Sequence, residues 1–148
     1  MSDLNLTSLY QQLILDHYRK PRNKGELPEK TVEIHMANPV CGDEIRLQLQ
    51  IDGDRILDAR HVGQGCSISQ AAVSMMTNLL KGKDLSEAEG LAQRFTDMMH
   101  GEEEPARDKA LGDLRALQGV SKFPVRIKCA LLAFDALQEA VKKTRAGE

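Results

Sequence analysis

The chain has 148 residues, 41% of them hydrophobic and 28% charged, which suits one globular domain spanning residues 1–148. A formal net charge of −2 and an aromatic content of 3% without Trp argue against nucleic acid or an anionic membrane as partner. No apolar run approaches the ~20 residues of a membrane-spanning helix, and Met1-Ser2-Asp3-Leu4-Asn5 does not open a signal peptide.

Residues 6–19 carry Leu6, Leu9, Leu13 and Ile14 near helical spacing, with Thr7 as N-cap and Pro21 just past the end. Tyr10 and His17 share a face of this helix and are expected at the margin of the core. The basic segment Arg19-Lys20-Pro21-Arg22-Asn23-Lys24-Gly25 reads as a solvated loop. Three strands follow. Thr31–Ala37 places Val32, Ile34 and Met36 on one face, and Ile45–Ile51 alternates more cleanly. Beyond the turn Asp52-Gly53-Asp54, Ile56–Val62 completes an antiparallel meander with one covered face and one wet face. His35 and His61 fall in the polar phase and are expected at the surface or an edge.

Gly63-Gln64-Gly65-Cys66-Ser67-Ile68-Ser69 ends the sheet, and Ser67 or Ser69 is expected to cap a helix over residues 70–80. Cys66 then stands at a helix N-terminus, where the dipole favours a thiolate. Ser86 with Glu89 reads as a capping box for residues 87–99. After an acidic connection, Leu111, Leu114 and Leu117 predict a helix over 106–118. The last helix starts at Pro124, carries Cys129 in its first two turns, and shows the stripe Ile127, Leu131, Phe134, Leu137. The expected fold class is therefore α+β, a three-stranded antiparallel sheet with helices packed on one face. No heptad pattern asks for an oligomer, so a monomer is expected.

Three cysteines far apart do not form a disulfide framework, and reduced thiols in a cytoplasmic protein fit better. Asn38-Pro39-Val40-Cys41-Gly42-Asp43 sets a thiol and a carboxylate two residues apart. In extended backbone both point to one side, so Cys41 and Asp43 can converge on one point. Cys66 and Cys129 supply the other thiols for a shared metal site. Without a CxxC pair the spacing alone favours the plainer reading, in which Cys66 and Cys129 are small buried residues that fill the core and Cys41 is incidental. Three thiolates and a carboxylate would suit zinc. Their excess negative charge calls for a neighbouring cation, and Arg126, one helical turn before Cys129, is better placed than Lys128.

Four segments together resemble the IscU/NifU-type family of iron–sulfur assembly proteins. They are His17-Tyr18-x-x-Pro21-x-Asn23-x-Gly25, Asn38-Pro39-x-Cys41-Gly42-Asp43, Gly63-x-Gly65-Cys66-x-Ile68-Ser69 and Arg126-x-Lys128-Cys129. Lys128, where scaffold-type members carry histidine, and the long stretch from Leu85 to Lys122 are similar to the SufU-type branch. That resemblance implies a zinc-dependent sulfurtransferase that accepts persulfide sulfur from a SufS-type cysteine desulfurase and serves a downstream SUF assembly scaffold. It implies Cys41, Asp43, Cys66 and Cys129 as zinc ligands, Cys41 as sulfur acceptor, and Arg126 beside the site. The rival expectation is an iron–sulfur scaffold holding a [2Fe–2S] cluster on the same thiolates, disfavoured by the missing imidazole.

Overall fold

The structure is a computed structural model that describes residues 2–147, with side chains from Ser8 onward. Helix α1 (Ser2–Arg19) leads into strands β1 (Val32–Asn38), β2 (Asp43–Asp52) and β3 (Arg55–Gln64). Helices α2 (Ser67–Leu80) and α3 (Leu85–Met99) follow, then 3-10 segments Glu104–Arg107 and Lys109–Lys122, then α4 (Pro124–Arg145). The strands pair antiparallel in the order β1-β2-β3, as the alternation predicts. Helix α4 packs on β1 and β2 and α2 packs on β3, so the α+β expectation with helices on one face holds.

Register decides which side chains meet those helices. Val32, Ile34 and Met36 of β1 stand opposite Leu49, Leu47 and Ile45 of β2, and all six belong to or pack against the hydrophobic core. The reverse face is polar and partly covered by residues 26–30. Gln48, fully buried there, donates from Nε2 to Glu26 (2.7 Å) and Glu33 (2.6 Å) and accepts the Leu27 N–H at 2.6 Å.

Several local expectations are corrected. His61 is buried, because a bulge at Gln50/Ile51 leaves Leu57 unpaired and shifts the phase of β3. Ala59 and His61 therefore face the helices along with Ile56, while Leu57 is exposed. His17 is also buried, its Nδ1 2.7 Å from Ser74 Oγ and its Nε2 2.8 Å from Asp113 Oδ2. Helix α1 begins at Ser2, so Thr7 lies inside it; the side chains of Leu6 and Thr7 lie outside the described residues.

The box at α3 is made by Asp84 and Glu87, two residues before the expected pair. Asp84 is held there because Ile56 N–H bonds to Lys83 O and Leu85 N–H to Asp54 O, tying the helix start to the hairpin. Residues 106–118 form 3-10 turns, consistent with leucines spaced by three, and Gly112 at φ 51 breaks the segment. His35 is exposed, as predicted.

Candidate metal centre

The hairpin between β1 and β2 is short and internally braced. Asn38 Oδ1 accepts the Val40 N–H at 3.2 Å, and the Cys41 N–H returns to Asn38 O at 3.2 Å. This is the self-bonding turn chemistry that Asn favours. Gly42 reverses the chain at φ 71, a conformation L side chains resist, and pairing resumes at Asn38↔Asp43. Cys41 is thus presented on a turn while Asp43 is already in the sheet, on the helix-facing side and 1% exposed.

Asp43 then meets the start of α2. Its Oδ1 accepts the Cys66 N–H at 2.8 Å and its Oδ2 lies 3.8 Å from Cys66 Sγ. Cys66 itself is the N-cap, its sulfur accepting the Ser69 N–H at 3.5 Å; neither Ser67 nor Ser69 takes that role. Gly65 makes this approach possible, since a Cβ there would stand 2.5 Å from Asp43 Oδ1 and 2.8 Å from Ser69 Oγ. Gly65 and Asn38 lie inside the motif segments, but their supporting roles depend on contacts that spacing alone does not reveal.

Cys129, in the second turn of α4, brings the third thiol from the opposite side. Its Sγ lies 3.2 Å from Cys41 Sγ and 3.9 Å from the Val125 carbonyl, and the residue is fully buried. Ligand atoms of Cys41, Asp43 and Cys129 all lie within 4.8 Å of one another. Cys66 joins this group through Asp43 and falls outside that closest set. Burial pushes the Cys129 thiol well up from its ordinary range, and hydrogen bonding with Cys41 and Asp43, then the charges of Cys66 and Asp43, push it the same way. A thiol so placed holds its proton until a cation offsets the charge around it.

Arg126 is exposed in the first turn of α4, and among the described residues its guanidinium has no hydrogen-bond or ion-pair partner. It lines a groove of about 1290 Å³ that also reaches Ser67 and Ile68, the residues after Cys66. Lys128 is exposed, as expected. The geometry therefore clusters Cys41, Asp43 and Cys129, sets Cys66 beside them through Asp43, and leaves Arg126 on the neighbouring groove.

The profile of the NifU-like N-terminal domain family matches residues 9–146. The chain belongs to that family. This NifU-like domain is 53% identical over 144 residues to the zinc-dependent sulfurtransferase SufU of Bacillus subtilis, covering 97% of this chain and 96% of that relative. It is 44% identical over 139 residues to the iron–sulfur cluster assembly scaffold protein IscU of Streptococcus pyogenes, covering 94% and 86%. A solved structure from Fervidobacterium islandicum, described as a candidate iron–sulfur cluster assembly scaffold protein for the SUF system, superposes with a TM-score of 0.78. That match has 32% identity and covers 88% of this chain and 94% of the other. Among the described residues, no helix is long and apolar enough to cross a membrane.

Proposed function

We propose that this NifU-like domain is a zinc-dependent sulfurtransferase that takes persulfide sulfur from a SufS-type cysteine desulfurase for iron–sulfur cluster assembly. The observation that carries this reading is the donor set: the thiols of Cys41 and Cys129 and the Asp43 carboxylate within 4.8 Å of one another, with the Cys66 thiol 3.8 Å from that carboxylate. Its chemistry fits zinc, which favours four ligands with thiolate sulfur among them. Cys41, Asp43, Cys66 and Cys129 would hold the ion, and bound zinc would keep the thiols deprotonated at neutral pH.

Among the three thiols, Cys41 is the natural acceptor. Cys129 is buried in α4 and Cys66 is committed to capping α2, whereas Cys41 rides a four-residue turn with the exposed Val40 beside it. In the transfer, the Cys41 thiolate attacks the outer sulfur of the donor persulfide. A new S–S bond forms on Cys41 as the donor's S–S bond breaks, and the donor cysteine leaves as thiolate, so no outside oxidant or reductant enters. Arg126, without a partner of its own, is proposed to offset negative charge at the rim during this exchange.

The same proposal covers its setting: a monomer acting as one unit over residues 1–148, in the cytoplasm, passing sulfur to a downstream SUF assembly scaffold. Lys128 immediately before Cys129 weighs against the alternative, a [2Fe–2S] scaffold, because it removes an imidazole ligand from that position. The test is to add the protein, with and without a chelator, to a SufS-type desulfurase and measure cysteine turnover, alongside metal analysis of anaerobically purified protein. Stimulation that a chelator abolishes, with stoichiometric zinc and no visible charge-transfer bands, is the expected result. A coloured iron-containing protein that leaves turnover unchanged would favour the scaffold.

A further inference from the structure

The fold brings two of the three thiols into contact and holds the third apart. Cys41 Sγ lies 3.2 Å from Cys129 Sγ, against ~2.05 Å in a disulfide, so a shift of roughly 1.2 Å would join them. Cys66 is placed differently. Its sulfur is bonded to the Ser69 N–H and to Asp43, and among the described residues it makes no hydrogen bond to either of the other sulfurs. The two contacting thiols also differ in access. Cys129 is fully buried in the second turn of α4, out of reach of small-molecule thiols and oxidants, whereas Cys41 is half-buried on the β1–β2 turn. Around Gly42 that turn has open space, with no atom beyond its chain neighbours within 4 Å of where a Cβ would stand. Cys41 can therefore make the shift without displacing the fold.

We infer that Cys129 is a resolving thiol for sulfur carried on Cys41: when the metal is lost, it closes a Cys41–Cys129 disulfide and expels the carried sulfur as sulfide. This rests on Cys41 as the acceptor proposed above and adds a second reaction at the same site. In the step, the sulfur of Cys129 bonds to the inner sulfur of the persulfide, Cys41 Sγ, as the bond from Cys41 Sγ to the outer sulfur breaks. The proton of Cys129 leaves with the outer sulfur as hydrosulfide. Two electrons pass from the thiol pair to the sulfane sulfur, so the persulfide is itself the oxidant.

Carrying and discharging compete for the same sulfurs. Cys129 engaged as a metal ligand has no free thiolate to direct at Cys41, and a disulfide has no thiolate left to offer a metal. Burial adds selectivity, because the sulfur that Cys129 meets is that of Cys41, and attack within the site outcompetes dilute thiols in solution. The closed state is reversible. The half-buried Cys41 sulfur is the one an external dithiol can attack, Cys129 leaves as thiolate, and the dithiol takes up the disulfide. Metal loss thus ends with sulfide released and the site shut, and no persulfide stays on the metal-free protein.

The test begins with zinc-loaded protein carrying sulfur on Cys41, supplied either by a SufS-type desulfurase with cysteine or by glutathione persulfide. The donor is removed, each sample is divided, and one half receives the zinc chelator TPEN. Released sulfide is followed over time, and alkylated, unreduced peptides are mapped by mass spectrometry. In the chelated wild type the Cys41 persulfide should disappear over minutes to hours. About one sulfide should appear per persulfide lost, with the Cys41 and Cys129 peptides linked. The zinc-loaded half, and chelated Cys129→Ala, should keep the persulfide at least ~tenfold longer. The linked peptides are read in the wild type, so they do not depend on how the variant folds. A persulfide that survives chelation, is lost as fast in Cys129→Ala, or yields a Cys41–Cys66 or intermolecular link would overturn the inference. Equally fast loss in the zinc-loaded half would overturn it too, since the metal would then control nothing. If glutathione persulfide loads Cys41 and discharge follows, while the desulfurase loads nothing, the resolving role stands and the proposed function falls. If neither source places sulfur on Cys41, both fall.

Discussion

Two Pro- and Gly-containing segments, residues 20–25 and residues 38–42, dispose of their polar groups in opposite ways. In the first, Arg22 N–H donates to Ser74 Oγ at 2.8 Å, His61 Nε2 bonds to Arg22 O at 2.9 Å, and Asn23 Nδ2 reaches Thr77 Oγ1 at 3.2 Å. His61 N–H also donates to Asn23 O at 3.0 Å and Gly25 N–H to His61 O at 2.9 Å, which lays this segment along the free edge of β3. It is a strap that ties α1, β3 and α2 together, and the basic loop expected to be solvated is built into the fold. In the second segment the hydrogen bonds close the turn on itself, and among the described residues the Cys41 sulfur meets two soft contacts, Cys129 Sγ at 3.2 Å and Asn38 Nδ2 at 3.6 Å. A segment whose backbone is bonded into α2 and β3 serves the scaffold. One that braces itself and presents a thiol is where chemistry can occur.

The sharpest way to test this contrast is to remove one central side chain from each segment's network. Cys41→Ala should cut sulfur acceptance from a desulfurase by at least ~100-fold while leaving the thermal unfolding of the metal-free protein within a few degrees of wild type. His17→Ala should do the reverse. It empties a fully buried imidazole site and removes the bonds to Ser74 and Asp113, and should cost about 2–4 kcal/mol in urea unfolding, with transfer by the folded protein retained. Equal damage to both properties from either substitution would erase the distinction.

The next effect is set by pH. Burial pushes the His61 imidazole down from its usual 6.5 to about 4, and its Nδ1 has no hydrogen-bond partner among the described residues. The unfolded chain therefore binds a proton that the folded one refuses. This contribution is complete above pH ~6.5 and is lost progressively as pH falls towards ~4, an effect of about 3 kcal/mol. Urea unfolding of metal-free wild type and His61→Gln between pH 7.5 and 4.5 checks this, and the substitution should flatten the acid loss. The smallest expected effect is that of Asn38→Ala, about 0.5–1.5 kcal/mol in stability and a few-fold in transfer, because it loosens the turn without touching a ligand.

How much of this was legible in the sequence varies with the range of the physics involved. Alternation along β1 and β2, the Asn38–Asp43 turn and the Pro124 start of α4 are local effects, and each appears where its residues imply. Cys66 at a helix entrance was equally readable, although its own sulfur makes the cap in place of a neighbouring serine. His61 was misplaced because one unpaired residue, Leu57, reverses the phase of everything after it. His17 was misplaced because Ser74 and Asp113, its two partners, come from α2 and the later 3-10 segment. The convergence of Cys129 on Cys41 is likewise set by how α4 packs on the sheet, and spacing alone favoured core filling. Arg126 shows the complementary limit: it lies one turn before Cys129 in α4, yet its exposed side chain makes no bond to the site.

The most direct test of the central claim is to locate the transferred sulfur. Zinc-loaded protein is incubated with a SufS-type desulfurase and cysteine, alkylated without reductant, digested and examined by mass spectrometry. The account predicts a gain of about 32 Da, one persulfide sulfur, on the peptide containing Cys41, absent in Cys41→Ala. A persulfide confined to Cys66 or Cys129, or full loading of the Cys41→Ala protein, would contradict it.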